Sequence, residues 1–146
     1  MGPRILGENP DATERIINLA REFRELRSGE DVDEALDRAA TANVGIAVGS
    51  EMTCLMNPTA RWITNRRTVW VYYLLRNDGN YRSANEATKI SAEQGWSGFH
   101  LEVRQTLLNL AAAGDIVARG YGVTPGELTY LWADAIANEM YERYYN

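Results

Sequence analysis

The stretch VRQTLLNLAAAGDIVARGYG, residues 103–122, changes character at its central glycine. Val103, Leu107 and Leu110 recur at helical spacing and share one face. Gly114 is the residue type that often follows the last turn of a helix. The residues after it read as a short strand over 115–118. The pattern therefore predicts a helix that ends at Gly114 and leads directly into a strand.

The neighbouring sequence predicts the elements on both sides of this transition. Ser83 can cap a short helix that Gly95 closes, and Ser97 can cap the long helix that follows. Residues 120–126 are rich in glycine and contain a Thr-Pro-Gly turn, and residues 127–131 have the composition of a second strand. The predicted order is helix, short helix, tight turn, helix and two-stranded hairpin.

The spacing Val103-x3-Leu107-x2-Leu110-x3-Gly114-x-Ile116 resembles the third helix and first wing strand of winged helix-turn-helix domains. In that superfamily the first three apolar residues pack the third helix on the first two. The glycine ends the helix, and the next apolar residue begins the wing. The resemblance covers about half of the chain, from residue 65 to residue 131.

This resemblance implies a mainly α fold with one small β-hairpin. The winged helix-turn-helix core is expected over residues 58–131. An acidic N-terminal helical region, residues 1–57, precedes it, and a C-terminal helix, residues 132–146, follows it.

Winged-helix domains place the third helix in the major groove of DNA and the wing on phosphates or in the minor groove. By position, the resemblance implies base-edge contacts from four residues of the third helix: His100, Arg104, Gln105 and Asn109. It implies phosphate or wing contacts from four further residues: Arg82, Lys89, Arg119 and Tyr121. The expected function is a non-enzymatic DNA-binding transcriptional regulator whose partner is double-stranded DNA.

Charge is unevenly distributed along this chain of net charge -5. Residues 58–122 carry eight basic and five acidic groups, a balance of +3, and both flanking regions are acidic. Because DNA affinity depends largely on neutralised phosphates, one such domain would bind weakly alone, and a dimer would double its contacts. Arg61, Arg66 and Arg67 form the densest positive cluster, although such clusters are more often a solvated face than a binding site.

The C-terminal helix carries an apolar residue at every fourth position: Trp132, Ile136, Met140 and Tyr144. This stripe can pair with a second copy of the chain or pack on its own domain. The sequence leaves both arrangements open.

Interaction with proteins is the second function class that the sequence favours. The chain has four Trp and eight Tyr, residue types that are common anchors at interfaces. Acidic flanks also suit protein contacts better than DNA contacts. The chain would then be an interaction or assembly component, for example a small subunit of a larger particle such as a virion, using a winged-helix-like fold that does not read DNA.

Two helices are predicted in the acidic region. Asn9 and Pro10 are a start signal for the first. Its inner face comprises the apolar residues Ile16, Leu19, Ala20, Phe23 and Leu26. The second begins near Asp31, and its inner face comprises Val32, Ala35, Leu36, Ala39 and Ala40.

A repeated start signal, Asn57-Pro58, predicts a third helical region that extends to Asn77, with Thr64 as an alternative start. Asp78-Gly79 supplies its stop.

Groups suited to catalysis are sparse. The chain has one cysteine, Cys54, and one histidine, His100, which excludes an internal disulfide and a Cys/His zinc cluster. No glycine-rich phosphate loop is present. A Cys54/His100 pair is the combination that could support nucleophilic chemistry, but we expect no enzymatic activity, no metal and no cofactor.

No apolar run reaches the roughly 18 residues of a membrane span. The first residues, MGPRIL, lack the apolar core of a signal peptide. We expect a cytoplasmic protein without membrane contact.

Overall fold

The computed structural model describes residues 11–39 and 43–145. Over these ranges the chain forms seven α-helices: α1 (Ala12–Glu25), α2 (Val32–Ala39), α3 (Ile46–Met56), α4 (Arg66–Arg76), α5 (Tyr81–Gln94), α6 (His100–Gly120) and α7 (Thr129–Tyr144). Short 3-10 turns, Gly29–Asp31 and Ser97–Phe99, precede α2 and α6. None of these helices combines the length and the apolar character of a membrane span.

The described ranges contain no strand, so the predicted β-hairpin and the winged helix-turn-helix core are wrong. Helix α6 continues through Gly114 to Gly120, and residues 115–118 belong to it. The second predicted strand, residues 127–131, instead leads into α7, which begins at Thr129. The mainly helical character was predicted correctly.

Packing against α7 explains the glycine at position 114. A Cβ atom built on Gly114 would lie 2.9 Å from Nε1 of Trp132 and still closer to Cδ1 of Ile136. Glycine therefore lets α7 approach α6 closely in the middle of a helix, where its cost relative to alanine is about 1 kcal/mol. The residue that the sequence indicated as a helix end is a contact point between two helices.

The C-terminal end of α6 is capped by a glycine that lies eight residues after Gly114. Gly122 adopts a left-handed conformation with φ of 75°. Its N–H donates to the carbonyl of Arg119 (3.0 Å), and the N–H of Val123 donates to the carbonyl of Ala118 (2.9 Å). This pattern is the Schellman motif, which satisfies carbonyls that the helix leaves without partners.

Helices α1, α2 and α3 enclose one apolar cluster: Leu19, Phe23, Leu26, Val32, Ala35, Leu36, Val44 and Ile46. The predicted inner face of α1 is confirmed at Leu19, Phe23 and Leu26, whereas Ala20 is exposed. The start signal at residues 9–10 and the predicted inner residue at position 40 lie outside the described residues.

Helix α4 is central to the remaining helices, and it contacts α5, α6 and α7. Its residues Val69, Trp70 and Val71 are fully buried. They belong to two adjoining clusters: Cys54, Trp62, Ile63, Val69, Tyr72, Val103, Leu107, Ala111, Tyr130 and Ala133 in one, and Trp70, Val71, Leu74, Ala84, Leu110 and Ala137 in the other.

The start of α4 is set by Asn65 rather than by Asn57-Pro58. The Asn65 side chain accepts the N–H groups of Arg67 (2.9 Å) and Thr68 (3.1 Å), and the Thr68 hydroxyl accepts the N–H of Asn65 in return. This reciprocal capping box fixes the first turn. Asn57 follows the last residue of α3, so the predicted helix start at Asn57-Pro58 is wrong.

The segment before this cap, residues 61–65, is buried and joins the two groups of helices. The Arg61 guanidinium donates to the carbonyls of Phe23 (2.7 Å) and Leu26 (2.5 Å) at the end of α1. A cation is stabilising there because the carboxyl end of a helix is negative and its last carbonyls lack helical partners. Arg61 is thus a helix-capping residue of the interior, whereas Arg66 and Arg67 are exposed.

Trp62 connects the same segment to α6. Its indole N–H donates to the carbonyl of His100 (2.6 Å), and its ring stacks on the His100 ring at a centroid distance of 4.8 Å. A Cβ atom on Gly29 would lie 2.6 Å from the Trp62 ring. The 3-10 turn before α2, residues 61–65 and the start of α6 therefore meet at one buried junction.

We predict that Gly29→Ala lowers the free energy of unfolding by about 1 to 3 kcal/mol, because a methyl group at that position overlaps the fully buried Trp62 ring. Urea unfolding followed by circular dichroism measures the change. Gly98→Ala is the matched control, since no atom lies within 4 Å of a Cβ at that position. Equal effects of the two substitutions would contradict the packing described for Trp62.

Candidate functional site

His100, the first predicted base-edge residue, lies in the buried junction and is 1% exposed. Its Nε2 lies 2.6 Å from the Gly29 carbonyl, and its Nδ1 lies 2.6 Å from the Thr64 hydroxyl. Because a carbonyl can only accept, Nε2–H is the donor and Nδ1 accepts from Thr64. The expectation that His100 faces outward is therefore wrong, and both ring nitrogens already have partners.

Burial lowers the pKa of His100 below its usual value of 6.5, although the Gly29 carbonyl and two nearby carboxylates act in the opposite direction. A lowered folded-state pKa means that the unfolded chain binds a proton first as the pH falls. The stabilisation from neutral His100 is complete above pH 6.5 and is lost below it.

We therefore predict that the free energy of unfolding falls as the pH is lowered from about 7.5 to about 5.5. Urea titrations at both values test this, with His100→Gln as the comparison. The chain has no other histidine, so the difference between the two pH responses isolates His100. A pH response that His100→Gln leaves unchanged would show that His100 is not the group responsible.

Arg104, the second predicted base-edge residue, is half-exposed and already engaged. Its guanidinium lies 2.8 Å from a carboxylate oxygen of Glu30 and 5.0 Å from the centre of the Trp62 ring. Both contacts connect α6 to the junction from its outer side. Contact with a guanine base would require Arg104 to give up the ion pair with Glu30.

Gln105 and Asn109 are exposed on α6 and bond to each other, with the Gln105 amide donating to the Asn109 side chain at 3.0 Å. Among the cations, Arg82 and Lys89 are exposed on α5, and Arg119 is exposed near the end of α6. Arg104 and Arg119 are fifteen positions apart, about 22 Å along the helix. The predicted contact residues thus lie on two helices, and those on α6 are far apart along it.

Arg119 and Tyr121 are not on a wing, because that element does not form. Arg119 belongs to the last turn of α6, and Tyr121 follows the helix and is 84% exposed. The two residues are neighbours because both lie at the C-terminal end of α6, and no hairpin joins them.

The residues considered for nucleophilic chemistry are both committed to the interior. Cys54 is fully buried, and burial, with a smaller contribution from the Asp134 carboxylate, raises the pKa of its thiol to about 12. The reactive thiolate is therefore scarce near neutral pH. His100, whose ring nitrogens are occupied by Thr64 and Gly29, has no nitrogen left to accept a proton from a thiol.

We predict that iodoacetamide modifies Cys54 in the native protein at least about 100-fold more slowly than in urea, because the thiol is buried and protonated. Mass spectrometry of quenched samples measures both rates. Rapid modification of the folded protein, with circular dichroism unchanged, would contradict the position given for Cys54.

An open apolar groove lies between the C-terminal half of α6 and the start of α7. Its volume is about 480 Å³. It is lined by Leu110, Ala113, Gly114, Val117, Ala118, Tyr121, Val123, Trp132 and Ile136. The side-chain polar groups of this lining are the Tyr121 hydroxyl and the Trp132 indole N–H.

The groove lies next to the contact between α6 and α7 at Gly114. Trp132 and Ile136 form the floor of the groove, where their side chains pack against Gly114. Beyond this contact, Val117 is 59% exposed and Val123 is 57% exposed, so large aliphatic groups face solvent. Exposed apolar surface of this kind commonly marks a site of protein contact.

The predicted C-terminal stripe divides between the interior and the groove. Ile136 and Met140 pack against the buried cluster that contains Trp70, Val71 and Leu74 of α4. Trp132 lies at the groove and is 39% exposed, and Tyr144 is 52% exposed. Packing on the same chain thus accounts for the middle of the stripe, and its first residue contributes to the open surface.

Sequence reasoning missed Val117, Ala118 and Val123 as surface residues because it placed them in or after a wing strand. One signal was present: residues 110–118 include seven apolar side chains and one polar side chain, which is unusual for a solvent-exposed helix face. A helix continued through Gly114 would have placed Val117 four residues after Ala113 and next to the C-terminal helix.

No protein-family model, curated protein or solved structure matches this chain.

Proposed function

We propose that this protein is a non-enzymatic interaction or assembly component that binds an apolar segment of a partner protein in the groove between α6 and α7. The observation that carries this proposal is the open groove itself, with Val117, Tyr121 and Val123 exposed around a floor formed by Trp132 and Ile136.

The groove lining favours a protein partner over a polar small molecule. Sites for metabolites combine apolar walls with several polar groups that fix the orientation of the ligand. Here the polar groups are one phenol and one indole N–H, both on large aromatic side chains, which are enriched at protein interfaces.

The partner segment that fits is an amphipathic helix or turn that presents one or two large aliphatic or aromatic side chains. A groove between two helices accepts such side chains at helical spacing. Its volume of about 480 Å³ has room for a small group of them. Desolvation of Trp132 and Tyr121 by these side chains would provide most of the binding free energy.

DNA binding stays a prediction with weaker support. His100 is buried, Arg104 is paired with Glu30, and the exposed cations Arg82, Lys89 and Arg119 lie on two helices. Phosphate contacts dominate the affinity of DNA-binding proteins, and a scattered set of cations provides few of them at once. Protein binding is therefore the function that the described surface supports best.

Site-specific photo-crosslinking in cells of the source organism tests the proposal. With benzoylphenylalanine at Tyr121, irradiation is expected to give one discrete adduct with a different protein, because position 121 borders the groove. Benzoylphenylalanine at Tyr81 is the matched control, since Tyr81 is an exposed aromatic residue of α5 outside the groove lining.

A second variant tests whether the groove itself makes the contact. Val123→Asp places a charge in the groove lining at an exposed position, so the fold is expected to persist while the adduct at Tyr121 falls at least about tenfold. The same change at Ile90, which is exposed on α5, is expected to leave the adduct unchanged. No adduct at Tyr121, or one that Val123→Asp does not reduce, would refute the proposed function.

A further inference from the structure

We propose that two copies of the chain associate in antiparallel orientation through the outer face of α6. We define this outer face as Asn109, Ala112, Ala113, Ile116 and Gly120, all of which are exposed. It shares Ala113 with the groove lining but is centred on Ile116, which does not line the groove, so the proposal goes beyond the function proposed above.

The shape of the outer face suits pairing with itself. Ile116 is 74% exposed and projects between small neighbours: Ala112, Ala113 and Gly120. In an antiparallel pair related by a two-fold axis at the level of Val117, Ile116 of each copy lies level with Ala118 of the other. The two isoleucines then contact each other, and the small residues on either side of them let the helices approach closely.

Charge selects the antiparallel orientation and its register. Asp115 and Arg119 lie four residues apart on one edge of the outer face, equally distant from Val117 along the helix. With the two-fold axis at the level of Val117, Asp115 of each copy lies level with Arg119 of the other. In the described part of the chain neither residue has an ion-pair partner. Both are therefore available to form two reciprocal ion pairs.

The same register places a large residue beside a small one at the ends of the contact. Tyr121, which is 84% exposed, lies level with Ala113 of the second copy. A parallel two-fold pair would instead place the Asp115 and Arg119 edge of the two copies on opposite sides of the contact, so neither ion pair could form.

Sedimentation equilibrium of the purified chain at about 100 µM tests the proposal, a concentration at which a complex with a micromolar Kd is populated. The expected mass is twice the 16.4 kDa of one chain. Asp115→Arg and Arg119→Asp are each expected to raise the dissociation constant at least about tenfold, because each places like charges level with one another. Arg82→Asp, with the same charge change at an exposed arginine of α5, is the control and is expected to have no effect.

Mixing the two variants provides the sharpest result. An equimolar mixture of the Asp115→Arg chain and the Arg119→Asp chain is expected to form a mixed dimer, because opposite charges again lie level at both positions. Ile116→Asp is expected to give monomers whether or not it is mixed, with Ile90→Asp unchanged as its control. Circular dichroism confirms that each variant is folded.

A monomeric wild-type chain at this concentration would overturn the inference, as would variants that remain dimeric or a mixture that fails to restore the dimer. Because Ala113 and Tyr121 also line the groove, the Asp115→Arg chain, which is expected to be monomeric, separates the two proposals. A wild-type monomer that still forms the Tyr121 adduct with a different protein would refute self-association alone. A wild-type dimer, together with an Asp115→Arg chain that gives no such adduct, would refute the proposed function alone.

Discussion

The buried junction of Trp62, His100 and Gly29 is the constraint on which the rest of the structure depends. Polar groups in the interior must have hydrogen-bond partners, and here every ring nitrogen of the two aromatic residues has one. Three parts of the chain that are far apart in sequence are thereby held at one point. Arg61 adds the end of α1 to the same connection. The direction of α6 is set at its first residue, and the surfaces at its other end are consequences of that direction.

The second contact that shapes the molecule is the approach of α7 to α6 at Gly114. Because Ile136 and Trp132 occupy the space that a side chain at position 114 would need, α7 contacts α6 closely at this point. None of the residues of α6 after Gly114 is buried. One open side becomes the apolar groove, and the adjoining side becomes the outer face with Ile116. Both proposed interaction surfaces thus lie next to the contact at this glycine.

Helical periodicity predicted much of this fold, because it records which side of each helix is buried. It located the inner residues of α1 and α2, the end of α5 at Gly95 and the existence of a C-terminal helix. The same periodicity places His100 on the buried side of α6, because His100 precedes Val103 by three residues. Gly114 could not be interpreted in the same way. A glycine that ends a helix and a glycine that admits a neighbouring helix look alike locally, and only the position of Ile136 in space distinguishes them. The groove depends on that choice, so the interpretation of Gly114 as a helix end concealed it.

The central claim is that α6 is one continuous helix from His100 to Gly120 and that no hairpin follows it. Backbone NMR assignment of residues 110–131 tests this claim most directly. We expect helical carbon shifts and sequential amide–amide contacts without interruption across Gly114, followed by a break at Gly122, where φ is positive. Extended-chain shifts over residues 115–118, together with cross-strand contacts to residues 127–131, would contradict this claim and would remove the basis for both proposed interaction surfaces.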